Sequence, residues 1–306
     1  MPLLTTSALT RRFGSVTAVD ALSVRVEPGV VGLIGANGAG KSTLIKMLLG
    51  LLPATSGSAT VLDLDVATRG EAIRELVGYM PEHDCLPPDV SATEFVVHLA
   101  RMSGLPVTAA RERAADTLRH VGLYEERYRP IGGYSTGMRQ RVKLAQALVH
   151  DPRLVLLDEP TNGLDPAGRE EMLGLIRRVG TEFGISVLVT SHLLGELERV
   201  CDHVVVIDGG RLLRASSTAD MTAASGVLVV EVDDRADEVA AGLELAGLPV
   251  HRAGRLLEVG LAGDATYDHV RDTVARLGVG LVRMERRRHR MAEMFTTEGA
   301  DREHAR

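Results

Sequence analysis

The sequence has no tryptophan, only two cysteines and few aromatic residues, which make up 3% of its 306 residues. Cys85 and Cys201 lie far apart and show neither metal-ligand spacing nor a disulfide framework, so we expect a reduced, cytosolic setting. No apolar run approaches the roughly 18 residues that span a bilayer. The first residues also lack the charged region and long apolar stretch of a signal peptide. We therefore expect a chain that is soluble by itself.

Lysine is scarce as well, and acidic residues outnumber basic ones, 41 against 35. The formal net charge is −6 at pH 7, which argues against nucleic acid as a partner, because such binding depends on many basic contacts to phosphates. Lysine occurs only at Lys41, Lys46 and Lys143. Hydrophobic residues make up 45% of the chain, which is enough for a full core, and the length favours two domains.

The segment GANGAGKST, residues 35–43, lies between two apolar runs and has the spacing G-x-x-x-x-G-K-S of a phosphate-binding loop. A buried strand is predicted before it, at Val30–Ile34, and a helix after it, at residues 42–49. An ordinary glycine-rich turn is the alternative. In a phosphate-binding loop, backbone N–H groups hold phosphate oxygens, Lys41 reaches the β- and γ-phosphates, and Ser42 ligates Mg²⁺. The predicted binding residues of this loop are Gly35, Asn37, Gly38, Ala39, Gly40, Lys41, Ser42 and Thr43.

Two acidic residues follow a second apolar run. The predicted buried strand Leu154–Leu157 ends in Asp158 and Glu159, which are followed by a proline. A carboxylate at the end of a buried strand can hold Mg²⁺, directly or through water, so we assign Asp158 as a metal ligand. Glu159 is placed to polarise an attacking water. A solvated turn is the alternative.

The order of elements predicts a doubly wound α/β core. Short alternating runs before residue 29 indicate antiparallel strands, residues 72–150 look mostly helical, and strands then alternate with helices. We assign residues 1–221 to this first domain, with a helical insertion at about residues 83–150. Residues 226–306 follow a small, polar, glycine-ended stretch. Their pattern is β-α-β-β-α-β, the ferredoxin-like order, with a terminal helix at residues 288–295.

Several motifs resemble those of ATP-binding cassette (ABC) proteins. YSTGMRQRVKLAQAL (residues 134–148) is similar to the family's signature motif. LLDEPTNGLDP (156–166) is similar to its Walker B motif and D-loop, and TSHLLGELERVCD (190–202) to its switch-histidine segment. The resemblance covers about residues 4–221 in the family's motif order. It implies a P-loop NTPase (ABC ATPase) core with an N-terminal antiparallel β-subdomain and a helical insertion, followed here by a small α+β ferredoxin-like domain. It also implies ATP and Mg²⁺ as ligands.

The resemblance implies residue roles as well. In such proteins two cassettes enclose two ATP molecules head to tail, each phosphate loop facing the partner's signature. Glu159 would be the general base and His192 would contact the γ-phosphate. The remaining predicted nucleotide-binding residues are Ser135 and Gly137 in the signature, Asp165 along the dimer seam, and Phe13, where the family stacks an aromatic ring on adenine.

The sequence departs from the family pattern at two motifs. Glu82 stands where the family usually has the glutamine of the Q-loop. We expect it to ligate Mg²⁺, to contact the nucleotide and to link the site to the helical insertion. In the signature, Tyr134, Thr136 and Met138 replace the usual Leu, Gly and Gln. Thr136 adds a Cβ where the backbone must approach phosphate closely, which weakens the expected contact across the dimer slightly.

Glu82, the sequence NGLDP and the C-terminal domain resemble exporters of the ABC-2 type, such as the daunorubicin-resistance ATPase group. The resemblance implies ATP hydrolysis that drives a separate integral-membrane permease, with the chain peripheral on the cytoplasmic face of the cell membrane. It also implies a second cassette, most simply another copy of this chain. The exported compound would be a drug, an antibiotic or a lipid-like molecule. A soluble regulatory or ribosome-linked ABC ATPase is the alternative.

Overall fold

The computed structural model describes residues 1–192, 194–197, 199–218, 224–261 and 263–288. It divides the chain into two compact units, Met1–Thr218 and Ala219–Arg306. The first residues of the predicted linker between 221 and 226 lie outside the described part. The two domain bounds inferred from sequence therefore remain predictions.

The strands of the first unit form a four-stranded antiparallel sheet and a six-stranded mixed sheet. In chain order they are β1 (Leu4–Phe13), β2 (Val16–Val26), β3 (Val30–Ile34), β4 (Ser56–Val61), β5 (Leu64–Asp65), β6 (Val77–Met80), β7 (Leu154–Leu157), β8 (Ser186–Ser191), β9 (His203–Asp208) and β10 (Arg211–Ser217).

The antiparallel sheet has the order β2-β1-β4-β5, and the mixed sheet the order β10-β9-β3-β8-β7-β6. From β9 to β6 neighbouring strands run parallel, and only β10 is antiparallel to its neighbour. One apolar core joins the two sheets, with residues such as Leu9, Leu33 and Ile45 almost completely buried. The predicted α/β fold with an antiparallel β-subdomain is confirmed.

Helices cover the mixed sheet and fill the insertion. Helix α3 begins with a capping box, in which the Ser91 hydroxyl accepts from the Glu94 amide and the Glu94 carboxylate accepts from the Ser91 amide. In chain order the α-helices described in the first unit are α1 (Lys41–Leu48), α2 (Gly70–Leu76), α3 (Ala92–Met102), α4 (Val107–His120), α5 (Thr136–Leu148), α6 (Pro166–Thr181) and α7 (Leu194–Leu197).

Residues 72–150 are mostly helical, as predicted, but they also contain strand β6, which the sequence pattern did not indicate. It forms the edge of the mixed sheet beside β7. Its four residues are too few to show a period. Gly78, which lowers strand propensity, is required there, because a Cβ at this position would lie 1.9 Å from the carbonyl oxygen of Ala147 in α5.

The parallel strands place several loops at one edge of the sheet. The phosphate loop follows β3, the Asp158–Glu159 pair follows β7, His192 follows β8 and Glu82 follows β6. The carboxyl ends of parallel strands meet at the same edge, which is where α/β proteins place their ligands.

The second unit has its own apolar core, which includes Leu228, Val239, Leu257 and Val270. It contains β11 (Ala224–Val232), α8 (Ala236–Leu245), β12 (Val250–Ala253), β13 (Leu256–Gly260), α9 (Ala265–Leu277) and β14 (Leu281–Arg288). The strands form an antiparallel sheet of order β12-β13-β11-β14, which gives the ferredoxin-like arrangement.

The predicted terminal helix falls almost entirely on residues outside the described part. Across the described residues, no helix combines the length and apolarity that a bilayer span requires.

Candidate nucleotide site

The phosphate loop is packed so closely that two of its positions require glycine. Gly40 has φ 98° and ends the loop at the start of α1. A Cβ there would lie 2.2 Å from the carbonyl oxygen of Ala18, and one at Gly35 would lie 2.5 Å from that of Ile207. Helix α1 therefore begins directly after a tightly supported glycine turn, and the unpaired amides at such a helix start can bind phosphate.

Lys41 is the buried cation of the site. Its Nζ donates to the carbonyl oxygens of Gly35, at 2.7 Å, and Ala36, at 3.3 Å. It also lies 3.3 Å from Oε1 of Glu159. Both side chains of this ion pair are more than nine-tenths buried. An ion pair taken out of water is expensive unless further groups satisfy it, so we interpret it as part of a binding site rather than as a source of stability.

Asp158 connects the phosphate loop to β8. Its Oδ1 accepts a hydrogen bond from the Ser42 hydroxyl at 3.2 Å and another from the Thr190 hydroxyl at 2.9 Å. The Thr190 hydroxyl in turn accepts from the Glu159 amide at 2.8 Å. Sequence reasoning missed Thr190. The available signal was a hydroxyl directly after the apolar run VLV, two residues before His192.

Glu159 occupies an unusual backbone position. Its φ is 50°, in the left-handed region that non-glycine residues rarely adopt and that often marks functional sites. Oε2 lies 3.0 Å from Nδ1 of His192, whose side chain is 42% exposed. Among the described residues, no group makes a hydrogen bond of good geometry to the buried Oε1 atom. The carboxylate is thus held from two sides, with one oxygen still able to accept a proton or a water.

These groups surround a cavity of about 290 Å³. Ala18, which contributes through its packing under the loop, was not predicted. Asp158 contacts the lining residue Ser42, and His192 contacts the lining residue Glu159. Gly35 accepts a hydrogen bond from Lys41, and Ala39 is buried beneath the loop. The lining residues are Ala18, Asn37, Gly38, Gly40, Lys41, Ser42, Thr43, Glu82 and Glu159.

Phe13 lies outside that lining set. It ends β1, is 44% exposed, and has the Arg11 guanidinium 4.6 Å from the centre of its ring. Its role in stacking on adenine remains a prediction.

The signature residues lie elsewhere. Ser135 caps α5 by accepting from the Met138 amide at 3.3 Å, and Asp165 caps α6 by accepting from the Gly168 amide at 2.9 Å. Together with Gly137 they line a second cavity of about 610 Å³, which shares no lining residue with the first. Within this chain, the signature residues therefore lie away from the phosphate loop.

The donor set fits a nucleotide with Mg²⁺. A Cβ at Gly38 would meet no heavy atom within 4 Å, so the loop is open at that position, and Lys41 supplies a buried positive charge nearby. The hydroxyl of Ser42 and the carboxylate of Asp158 converge within 3.2 Å, and oxygen ligands of this kind suit Mg²⁺. Glu82 adds a second carboxylate to the cavity wall.

A glycine-rich turn joins the parallel strand β3 to helix α1, which begins with Lys41, and the acidic pair follows β7. This arrangement defines a P-loop NTPase. The chain belongs to the ABC transporter family of ATP-binding proteins. Residues 19–162 match the family model described as ABC transporter. The bacitracin transport ATP-binding protein BcrA of Bacillus licheniformis is 38% identical over 212 residues, which cover 69% of this chain and 68% of the relative.

Two further comparisons agree. The daunorubicin/doxorubicin resistance ATP-binding protein DrrA of Streptomyces peucetius is 35% identical over 253 residues, 81% of this chain and 76% of the relative. The structure of cbiO1 from Clostridium perfringens, part of the ABC transporter complex cbiONQ, has a TM-score of 0.66 and 27% identity, and covers 72% of this chain and 90% of that chain. The resemblance to ABC proteins inferred from the motifs is thereby confirmed.

Proposed function

We propose that this chain binds and hydrolyses ATP with Mg²⁺ as the nucleotide-binding subunit of an exporter. The observation that carries the proposal is the continuous network from Lys41 and Ser42 through the buried Asp158 and Glu159 to His192. Family membership supports ATP as the nucleotide. The names of BcrA and DrrA, a bacitracin transport protein and a daunorubicin/doxorubicin resistance protein, support export of a drug, an antibiotic or a lipid-like compound.

Each residue of the network has a task that its position permits. The amides of the phosphate loop and the Lys41 ammonium bind the phosphates. Ser42, Asp158 and Glu82 hold Mg²⁺, which neutralises phosphate charge when bound. Glu159 orients the attacking water and accepts its proton, and His192 holds the Glu159 carboxylate by the contact at Nδ1.

The separation of the two cavities supports a dimer. Because Ser135 and Gly137 lie outside the phosphate-loop cavity, a second cassette has to supply a signature to this site. A second copy of this chain placed head to tail meets that requirement at both sites at once. Asp165, which shares the signature cavity, then lies along the seam.

The dimer acts on a separate permease in this proposal. The dimer closes on ATP and opens after hydrolysis, and this movement must be transmitted to a membrane protein. The chain therefore lies on the cytoplasmic face of the membrane as a peripheral protein. The helical segment after Glu82 provides the docking surface, because it connects the nucleotide cavity to α3 and α4.

Affinity capture tests the proposal as a whole. Tagged chain is purified from detergent-solubilised native membranes, and the accompanying proteins are identified by mass spectrometry. A multi-spanning membrane protein in near-equal amount supports the exporter. Recovery of the chain from the cytosolic fraction with ribosomal or other soluble partners only would contradict it and favour the regulatory or ribosome-linked alternative.

A further inference from the structure

The residue that opens the signature is aromatic in this chain. Tyr134 stands where the family usually has leucine, and it is only 4% exposed. Leucine would fill a buried volume without bringing in a polar atom, whereas a buried tyrosine hydroxyl needs a hydrogen-bond partner. The Tyr134 hydroxyl has one, because it donates to the carbonyl oxygen of Glu126 at 2.6 Å. Tyr134 therefore adds a directional contact that leucine could not make.

The surroundings of Tyr134 keep the proton on its hydroxyl. Burial raises the pKa of the Tyr134 phenol. Arg129 opposes this shift, and the negative charge of Glu126 adds to it. The hydroxyl is thus a hydrogen-bond donor to the Glu126 carbonyl throughout the neutral pH range.

The turn that accepts this hydrogen bond is itself held in place. Glu126 begins a short 3₁₀ helix of three residues. The Arg127 carbonyl oxygen in that helix accepts a hydrogen bond from the Thr93 hydroxyl of α3 at 3.1 Å. The Arg127 guanidinium donates to the Tyr124 carbonyl oxygen at 2.7 Å. Tyr134 is therefore bonded to a supported turn.

The backbone of Tyr134 is held at both of its polar groups. Its amide donates to the Ile131 carbonyl oxygen at 3.0 Å, and its carbonyl oxygen accepts from Nη1 of Arg139 at 3.1 Å. The next residue is Ser135, the N-cap of α5. Because its hydroxyl, amide and carbonyl are all bonded, Tyr134 fixes the direction in which the chain enters Ser135.

The second departure from the family pattern, Thr136, faces its own chain. Its hydroxyl accepts a long hydrogen bond from Nη2 of Arg139 at 3.5 Å. Its methyl carbon would lie 3.3 Å from a Cβ at Gly163, in the loop that follows β7. A Cβ at Gly137 would meet no atom closer than 3.8 Å, so that position stays open. The extra atoms of Thr136 therefore pack against residues of the same chain.

We propose that Tyr134 is a positioning residue of the signature, and that its hydrogen bond to the Glu126 carbonyl sets the direction in which Ser135 and Gly137 meet the nucleotide of the partner cassette. Glu126, Ser135 and Gly137 line one cavity of about 610 Å³, so this bond joins two parts of the same wall. The inference rests on the proposed function, because it concerns the same head-to-tail ATP sites.

The proposed role affects association of two chains and not ATP binding by one chain. The signature cavity and the phosphate-loop cavity share no lining residue. Loss of the Tyr134 hydroxyl therefore leaves the Kd of the monomer for ATP unchanged and weakens ATP-dependent dimerisation. A hydroxyl with only a structural role would lower the free energy of unfolding and leave dimerisation unchanged.

The test compares three full-length proteins: wild type, Tyr134→Phe and Tyr128→Phe. Tyr134→Phe removes one oxygen atom and keeps the buried ring. Tyr128→Phe is the matched control, because it removes a hydroxyl from the same 3₁₀ helix that contacts Arg127 at 3.2 Å.

Three quantities are measured for each protein. Calorimetry at protein concentrations where the chain is monomeric gives the Kd for ATP. Light scattering over a dilution series, with Mg²⁺ and a slowly hydrolysed ATP analogue, gives the dimer dissociation constant. Urea unfolding gives the free energy of unfolding.

We expect Tyr134→Phe to keep the Kd for ATP within about twofold of wild type and to raise the dimer dissociation constant about tenfold, because each dimer contains two signatures that each lose one hydrogen bond. Its kcat at a fixed, low protein concentration should fall and should recover at higher protein concentration. Tyr128→Phe should match wild type in dimerisation and ATP binding. If Tyr134→Phe does not fold, Tyr134→Leu, which introduces the residue usual in the family and also lacks the hydroxyl, takes its place with the same expectation.

Three results would overturn the inference. A wild-type dimer dissociation constant in folded Tyr134→Phe would show that the hydroxyl does not position the signature. An equal rise in Tyr128→Phe would show that any change in this turn weakens the dimer. A raised Kd for ATP in monomeric Tyr134→Phe would show that the hydroxyl acts on the chain's own nucleotide cavity. Absence of an ATP-dependent dimer in wild type would instead contradict the head-to-tail arrangement of the proposed function, and the inference with it.

Discussion

Oε2 of Glu159 lies 3.0 Å from Nδ1 of His192, so a buried carboxylate is held by an imidazole whose side chain is 42% exposed. Because this contact fixes the direction of the carboxylate, we predict that His192→Ala lowers kcat by about 100-fold while KM for ATP changes little. Steady-state ATP hydrolysis by the purified chain checks this.

The control for that substitution is His98→Ala, which removes an exposed histidine of α3. It should leave kcat and KM at wild-type values. An equal loss of kcat in both variants would mean that His192→Ala acts through general instability. Wild-type kcat in His192→Ala would show that His192 has no role in hydrolysis.

Lys41 should be needed for binding as well as for turnover. Lys41→Ala removes the ammonium that lies 3.3 Å from Glu159 and leaves that carboxylate buried without a counter-charge. We predict no measurable ATP binding by calorimetry and a free energy of unfolding lower by about 3 kcal/mol. Lys46→Ala is the matched control. Normal turnover in Lys41→Ala would contradict the site assignment.

Glu159→Gln should separate binding from hydrolysis. The amide keeps the shape of the side chain but cannot accept the proton of water, so hydrolysis stops while the phosphate contacts of Lys41 and Ser42 remain. We predict an ATP-dependent dimer, seen as a doubled mass in light scattering at saturating ATP and Mg²⁺. A variant that binds ATP and stays monomeric would count against the head-to-tail dimer.

The structure predicts an effect of substituting Thr190 that the sequence alone does not predict. Its hydroxyl is fully buried and joins the Asp158 carboxylate to the Glu159 amide. Thr190→Val preserves shape but leaves both partners short of a hydrogen bond, so we expect a loss of about 1–3 kcal/mol in the free energy of unfolding and a lower kcat. Urea unfolding and hydrolysis assays check this, with the exposed Thr181→Val as control. Unchanged stability would show that the hydroxyl is dispensable.

Local patterns account for the parts of the site that were predicted. The loop spacing and its apolar flanks predict the strand Val30–Ile34 and the start of α1, and the acidic pair follows a short apolar run that predicts a buried strand. These features were predictable because each depends on neighbours within a few residues along the chain.

The parts that were missed depend on contacts between distant residues. Strand β6 is recognisable only through its pairing with β7 and the approach of α5 to Gly78. Thr190 and Lys143 look like ordinary members of a strand and a helix until the fold brings them to Asp158 and to the Glu82 carbonyl. Both residues lie within the motif segments 134–148 and 190–202, but only the tertiary structure shows which groups their side chains contact.

Removal of the second unit should leave nucleotide binding intact. All residues that line the phosphate-loop cavity precede residue 160, and the first unit has its own core. We predict that chains ending at Gly226 and at Thr218 both bind ATP within about twofold of the full-length Kd, since the binding contacts are unchanged. Circular dichroism confirms folding, and calorimetry measures the Kd. If the chain ending at Gly226 folds but loses ATP affinity, the predicted domain boundary is wrong. If only the shorter chain loses affinity, residues 219–226 belong to the first domain.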